Sequence, residues 1–291
     1  MTAPLMNSLN TWPIWLSGVV ILFLCLLAAY GGLRLRRRDT RRDEARGEAY
    51  DDTYEGYIVS GVLGLLALLM GFTFSMAVDR YDARRSLVLE EANAIGTTYL
   101  RTQLLEEPHR ARISGLLVAY TDNRVAISKI HHPNDDARRR VEENDRLITE
   151  LWAATASAFQ TIKGMDFSSS YLESMNSLID LDTSRKVARI VRVPAEVFLV
   201  LALYMIVTAG VMGYVLIGRR GQWSGVWLLV LLTMALMLIM DIDRPGRGGI
   251  GESQRPLEAQ LASMKSIPTT AYDRYLTQDT TAQSATQLTR P

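Results

Sequence analysis

Four long segments without a single charged side chain constrain this chain more than any other feature of its sequence. They are Ile14–Leu33, Tyr57–Val78, Val197–Ile217 and Trp223–Met240, numbered here span one to span four. A helix rises about 1.5 Å per residue, so about 20 residues cross the ~30 Å hydrocarbon core of a bilayer. Because a backbone in lipid must satisfy its own hydrogen bonds, each segment is predicted to be a transmembrane helix.

The charged residues are confined to the rest of the chain. There are 32 basic and 31 acidic side chains, and the net charge is +1. A soluble domain carries charge along each of its surface helices, so this segregation excludes a simple soluble domain. Since the two signs nearly cancel, we do not expect a nucleic-acid partner. The basic residues are mostly arginine, which suggests a GC-rich bacterial genome. We therefore expect a multi-pass protein in contact with the lipid of a bacterial inner membrane.

The chain divides into four predicted regions. Residues 1–78 form a first transmembrane pair, and residues 79–193 form a charged, helical extramembrane region. Residues 194–245 form a second transmembrane pair, and residues 246–291 form a polar C-terminal tail that we predict to be largely disordered. The long middle region has no strand-like alternation and repeats its apolar residues at helical spacing, as in Val88, Ala92, Ile95 and Tyr99. The predicted fold class is all-α.

The orientation of these helices is left open by the charges. Seven arginines lie between spans one and two, so the first span by itself favours an N-terminus outside the cell. Counted over both sides of the membrane, basic residues near the span ends are almost equal in number. The positive-inside rule therefore does not decide the orientation of the whole chain.

Span two carries two stripes at helical spacing. Small residues let helix backbones approach closely in lipid, and such residues form the first stripe: Ser60, Gly64, Ala67, Gly71 and Ser75. Bulky residues form the second stripe: Leu65, Leu68, Phe72 and Met76. One interpretation is that both stripes pack against neighbouring helices. The other is that one stripe lines a pore, which requires an oligomer because four spans rarely enclose a pore alone.

Charged residues follow span two directly, where the helix would leave the membrane. The set comprises Asp79, Arg80, Asp82, Arg84, Arg85, Glu90 and Glu91. They form either a solvated anchoring collar or an electrostatic vestibule that concentrates ions. Paired carboxylates can act as acid and base, but no nucleophile accompanies Glu90 and Glu91. We expect those two residues to make structural contacts within the helical region.

The remaining chemistry-bearing residues do not predict a catalytic or metal site. Cys25 is the only cysteine, so an intrachain disulfide and a thiolate metal site are excluded. His109, His131 and His132 lack the i, i+4 spacing of a helical metal pair and are interpreted as turn residues. No glycine-rich phosphate loop is present. We predict no catalytic residue, no metal and no cofactor.

Several of these motifs together resemble a known family. The run Gly61–Ala77, joined to Asp79-Arg80-Tyr81 and to Glu91–Gly96, resembles the bestrophin-like bacterial membrane proteins, as does Asp243-Arg244-Pro245 after the last span. The layout of nearly the whole chain is similar to that four-span family, whose members are uncharacterised.

A shorter stretch is similar to the bestrophin anion channels. Gly71-Phe72 match the end of their second span, and the positions after it that match are Ala77, Asp79, Arg80, Ala83 and Arg84. The similarity implies a pentamer whose second helices line an apolar neck formed by Leu65, Leu68, Phe72 and Met76. It also implies a cytoplasmic helical region and an inside N-terminus, against the charge bias of span one. The acidic run that binds calcium in animal bestrophins is absent after span four, so calcium gating is not expected.

Two functions of different classes follow. The first is an oligomeric ion channel, selective for anions, with span two lining the pore. The alternative is a non-conducting envelope scaffold or signalling protein whose helical region binds a partner, for instance through the apolar face of residues 147–162. An enzyme ranks third because no catalytic set is visible in the sequence.

Overall fold

The computed structural model describes residues 13–46, 53–130, 135–216, 218–245 and 249–273. Within these ranges the chain is helical and contains no strand. The helices are α1 Ile14–Arg46, α2 Thr53–Thr102, α3 His109–Ser128, α4 Asp135–Ile162, α5 Phe167–Ile190, α6 Ala195–Val215, α7 Gly218–Asp243 and α8 Arg255–Ser266, followed by a 3-10 turn at Thr269–Tyr272.

The helices are grouped in two compact units. The membrane unit comprises Met1–Asp82 and Val191–Gly251, and the bundle unit comprises Ala83–Ile190 and Glu252–Pro291. Four helices are long and apolar enough to cross a membrane, and they contain the four predicted spans to within two residues at the end of span three. The all-α membrane architecture is therefore confirmed. Each unit has a buried apolar core of its own.

α2 runs without a break for 50 residues, from Thr53 to Thr102. Its first part contains span two, and its last part enters the core of the bundle unit. No proline interrupts the segment, so nothing in the sequence ends the helix at the end of the span. The predicted apolar face of Val88, Ala92, Ile95 and Tyr99 is buried, as its spacing requires.

Backbone contact between α1 and α6 holds the membrane unit together. A Cβ atom on Gly213 of α6 would overlap the carbonyl oxygen of Ala29, and one on Gly32 of α1 would overlap that of Gly210. Both helices carry small residues four apart, Ala28 with Gly32 and Ala209 with Gly213. This small-residue spacing permits close helix approach in lipid, where packing replaces the hydrophobic effect.

Prolines mark two of the helix boundaries. α2 ends before Pro108, and α3 begins at the next residue, as the sequence predicts. The helix expected to start near Ser170 could have continued into span three, but it ends at Ile190. Pro194 then precedes α6, and the Val193 N–H donates to the Asp243 carboxylate at 2.9 Å. A proline ring disfavours the helical conformation at the residue before it, so a helix break before Pro194 is expected.

The C-terminal tail, predicted to be largely disordered, contains an ordered part at residues 254–273, around its short amphipathic stretch Leu257–Met264. This segment belongs to the bundle unit, where α8 buries Leu257 and Met264. Arg110 of α3 forms two parallel hydrogen bonds to Asp273, at 2.8 and 2.7 Å. The segment is ordered because those two apolar residues lie seven apart on one face and find a partner surface. The tail beyond Asp273 lies outside the described residues.

Candidate functional site

The bulky stripe of span two is exposed. Phe72 is 63% exposed and Leu68 is 54% exposed, and Leu65 and Met76 are also open. The residues of α2 that pack inside the membrane unit are different ones: Val59, Leu66, Met70, Thr73 and Ala77. Packing within one chain therefore does not bury the bulky stripe. Its assignment to a pore stays a prediction.

The small-residue stripe is exposed as well. Ser60, Gly64, Ala67, Gly71 and Ser75 all lie at the surface of the chain, and a Cβ atom on Gly64 or Gly71 would meet nothing within 4 Å. Close packing of small residues occurs instead between α1 and α6. The same small-residue spacing in spans one and three, which we did not single out in the sequence, is the signal that identifies this contact.

The three sets of residues divide the surface of α2 into three faces. With 3.6 residues per turn, the buried set, the small stripe and the bulky stripe are centred roughly 100° to 130° from one another. Each face extends over at least three turns, because its members recur every three, four or seven residues. The buried face packs against other helices of the same chain. The small stripe and the bulky stripe remain for contacts outside the chain.

The charged residues after span two are not one uniform collar. Asp79, Asp82, Arg85 and Glu90 are exposed, and Arg80 is half-buried. Glu90 accepts a hydrogen bond from the Ser86 hydroxyl at 2.6 Å. These five residues fit a solvated rim at the end of the span.

Arg84 and Glu91 differ from that rim because they are buried. Arg84 forms an ion pair with Glu252 of the C-terminal segment, and both side chains are almost fully enclosed. Arg84 and Glu91 therefore do not belong to a solvated collar, contrary to the expectation from the sequence. The two side chains point into the bundle unit because they lie one turn before the buried Val88 and Ile95, on the same helix face.

Glu91 is the centre of a buried cluster of charges. Arg124 Nε lies 2.8 Å from its carboxylate, and Arg185 Nη1 donates to the same group. The Tyr120 hydroxyl donates to Glu91 at 2.7 Å. Burial, and then the negative charge of Glu91, raises the pKa of Tyr120 well above its ordinary value, so this tyrosine stays neutral. The expectation that Glu91 makes structural contacts agrees with this geometry.

Asp182 is the second carboxylate of the cluster. It accepts from Asn144 at 2.9 Å and lies 2.6 Å from the Lys186 ammonium and 3.4 Å from Arg124. Arg185 also donates to Gln254 at 3.2 Å. The cluster thus connects α2, α3, α4 and α5 with the segment that leads into α8.

We did not identify these partners from the sequence, although a signal for them exists. Tyr120 and Arg124 continue the apolar face formed by Ile113 and Leu117 at spacings of three and four residues. Tyr171, Met175, Leu178, Asp182 and Arg185 do the same on α5. A charged residue at a position where an apolar face continues indicates a buried ion pair, since an unpaired charge there is too costly.

The remaining candidates show no catalytic grouping. In the part of the chain that the structure describes, no group of three or more His, Cys, Asp or Glu side chains could hold a metal ion. His109 is the first residue of α3, whereas His131 and His132 lie outside the described residues. The face of α4 proposed for a partner is instead core, because Leu147, Leu151 and Ile162 are buried within the bundle unit.

Solved structures of a bacterial bestrophin homologue have a similar fold. A mutant of the Klebsiella pneumoniae homologue is 18% identical with a TM-score of 0.63, and the match covers 87% of this chain and 96% of that one. A second mutant is 19% identical with a TM-score of 0.60, covering 84% and 95%. Another crystal structure of that homologue is 17% identical with a TM-score of 0.59, covering 84% and 95%.

No curated protein matches the sequence. The family described as the Bestrophin-like domain matches residues 19–257, which is most of the chain. Four apolar helices, the long α2 and a helical bundle on the same chain agree with that match. The protein is therefore a bestrophin-like membrane protein and belongs to this family.

Proposed function

We propose that this chain forms a ring-shaped homo-oligomer, a pentamer if its assembly is bestrophin-like, that conducts anions across the bacterial inner membrane. The observation that carries the proposal is the division of α2 into three faces. One face packs within the chain, while the small stripe and the bulky stripe both stay open. A helix with two unlike open faces can contact the next copy by one and line a shared axis with the other.

The ring follows from the difference between the two open faces. A contact between two different surfaces of adjacent copies is heterologous. Such contacts close into a ring when the rotation from one copy to the next divides a full turn evenly. The small stripe would let the α2 helices of adjacent copies approach closely. Leu65, Leu68, Phe72 and Met76 would then form successive apolar rings, which can gate conduction by dewetting.

The charges beyond the neck supply the electrostatic part of the proposal. Arg80 and Arg85 lie within four helical turns of Phe72, with Asp79 and Asp82 beside them. Repeated around a ring, these side chains would set the potential at the mouth of the pore.

The test is ion flux through the purified full-length protein in liposomes. The expected result is chloride flux that rises on Phe72→Ala, because the replacement widens an apolar ring. Phe74→Ala is the matched control: Phe74 is also exposed on span two, but by helical geometry it lies on the side of α2 opposite the bulky stripe. Gly71→Leu should break the ring, seen as a smaller mass by light scattering. A verified oligomer without flux of any ion would overturn the channel.

A scaffold that binds a partner is the second candidate. Val141 and Trp152 of α4 are both exposed and lie eleven residues apart on one helix face. This face, rather than the buried one, is where a partner would bind. Affinity capture that returns only the protein itself, for the wild type and for Trp152→Ser alike, would count against the scaffold.

A further inference from the structure

We propose that the membrane unit binds one anionic phospholipid in a cleft between α1, α6 and α7, with its acyl chain inside and its phosphate at an arginine rim. The site is independent of the proposed channel and does not require an oligomer. It is formed only by residues of the membrane unit, and none of them belongs to the pore stripe or to the buried charge cluster.

The cleft is an apolar cavity of about 200 Å³ that opens to the surface. Its walls are formed mainly by Leu26 and Leu33 of α1, Met212 of α6 and Val226 and Leu229 of α7. Packed helices leave few voids of this size, because every empty volume forfeits dispersion contacts. In a bilayer, the hydrocarbon chain of a lipid would fill this cavity.

A glycine keeps the cleft open. A Cβ atom on Gly225 of α7 would lie 2.8 Å from Leu216 Cδ1 and 3.5 Å from Met212 Cε, at the cavity wall. The positions nearby that pack most tightly are Gly213 and Ala29, which also line the cavity. Because these residues have little or no side chain, the helices approach closely on one side of the cavity and leave space on the other.

The polar rim of the cleft is basic. On α1, Arg37 follows Tyr30 and Leu33 at spacings of seven and four residues, so it continues the face that lines the cavity. On α7, Arg219 precedes Gln222 by three residues and continues that lining face in the same way. Arg37 and Arg219 are exposed.

A third arginine is held at the edge of the cavity by its own helix. Arg34 donates to the hydroxyl of Tyr30, a cavity-lining residue, from Nε at 2.9 Å and from Nη2 at 2.6 Å. Its guanidinium carbon lies 4.9 Å from the centre of that ring. The stacking restricts the guanidinium to the mouth of the cleft, where a phosphate would accept its hydrogen bonds.

The combination selects a phospholipid among the possible occupants. A free phosphate would make no contact with the apolar cleft, and a neutral lipid would leave the arginines without a negative partner. A second copy of the chain would bring the same arginines against each other if the contact were symmetric. An anionic headgroup above an acyl chain matches both parts, since basic residues beside a span attract anionic lipids.

Native mass spectrometry of the full-length protein tests the site. The protein is titrated with a phosphatidylglycerol and with a phosphatidylcholine that carries the same acyl chains. We expect tighter binding of the anionic lipid, and the double variant Arg37→Gln/Arg219→Gln should weaken that binding roughly tenfold while leaving phosphatidylcholine unchanged.

The chain offers a matched control for charge. Arg38→Gln/Arg220→Gln removes the same charge from the same two helices, but these side chains point away from the lining faces by helical geometry. This control should bind phosphatidylglycerol as the wild type does. Equal losses in both double variants would mean a diffuse charge effect and would overturn the site, as would no loss in Arg37→Gln/Arg219→Gln.

A second pair of variants tests the cleft. Gly225→Leu should fill the cavity and reduce binding of both lipids, whereas Gly31→Leu adds the same bulk where a Cβ atom would meet nothing within 4 Å. If Gly225→Leu is not monodisperse, Val226→Phe fills the same space. Unchanged lipid binding in a folded cavity variant would overturn the proposal, and so would a change of oligomeric mass, because the occupant would then be a second copy.

Discussion

The carboxylate of Glu91 lies 2.8 Å from the guanidinium Nε of Arg124, and the two side chains are 0% and 7% exposed. One residue comes from α2, the helix that also contains span two, and the other comes from α3. Because burial removes water from both charges, each depends on the other for compensation. This pair and its neighbours hold the helices of the bundle unit in one register.

Glu91→Gln should destabilise the bundle unit strongly. The amide keeps the shape of the side chain but leaves Arg124 and Arg185 without their main negative partner. Removing one member of a buried pair costs about 3–5 kcal/mol. Denaturant unfolding of the purified protein measures the effect. Glu90→Gln changes the same charge at an exposed neighbour and should stay within about 0.5 kcal/mol of the wild type. Equal stability of the two variants would contradict the role of the cluster.

Gly213→Ala should weaken the contact between α1 and α6. The new methyl group would overlap the carbonyl oxygen of Ala29, so one helix backbone must shift, at a cost of about 1–3 kcal/mol. Thermal unfolding in detergent measures the loss. Gly210→Ala is the control one turn away, because its Cβ atom would lie at an ordinary 3.7 Å from the Ala28 carbonyl oxygen. A control that is as unstable as Gly213→Ala would show that helix flexibility, rather than close approach, explains the effect.

Acidification should loosen the C-terminal segment through Asp273. The hydrogen bonds from Arg110, and then its positive charge, lower the pKa of Asp273. A carboxylate with a lowered pKa stabilises the folded form above its unfolded pKa of about 4, and that contribution is lost as the pH falls through the lower folded value. Hydrogen exchange in residues 255–272, corrected for the intrinsic rate, should therefore accelerate over that range.

Asp273→Asn separates this effect from general acid unfolding. The variant should exchange faster than the wild type at pH 6, and the two should converge once the wild-type carboxyl is protonated. A constant difference down to the lowest pH would mean that protonation of Asp273 does not control the segment.

Reporter fusions at Asn134 and at the C-terminus should report the same side of the membrane. Two spans separate these points, and α8 packs in the same compact unit as α3, where Lys265 lies 2.7 Å from Asp122. Opposite sides would contradict that arrangement. The shared side itself, cytoplasmic or external, then settles the orientation that the arginine counts leave open.

The elements predicted correctly depend on local patterns. A run of about 20 residues without charge has few alternatives to a membrane helix. Pro108 lies at a helix boundary, just before α3, because a proline is disfavoured inside a helix for steric reasons that involve only nearby residues. The face of Val88, Ala92, Ile95 and Tyr99 follows from the helical period alone, and its burial needs only some partner surface.

The elements that were missed depend on partners far along the chain. Small-residue spacing in spans one, two and three is similar, yet among the residues that the structure describes only the stripes of spans one and three close on each other. Glu90 and Glu91 are adjacent acids, and only the positions of Arg124 and Arg185 make the second one a buried centre. The segment 254–273 is polar in composition, and its order comes from the surface that Leu257 and Met264 meet.

The sequence by itself therefore determined that this is an all-α membrane protein with four spans, and its motifs determined the family. Exclusion of charge from lipid and the period of the helix act within about 20 residues, so no tertiary contact is needed to detect them. The tertiary structure alone decided which of several similar faces is buried. That choice depends on which distant residues supply an opposite charge or a backbone that packs closely. It leaves both the small stripe and the bulky stripe of α2 at the surface.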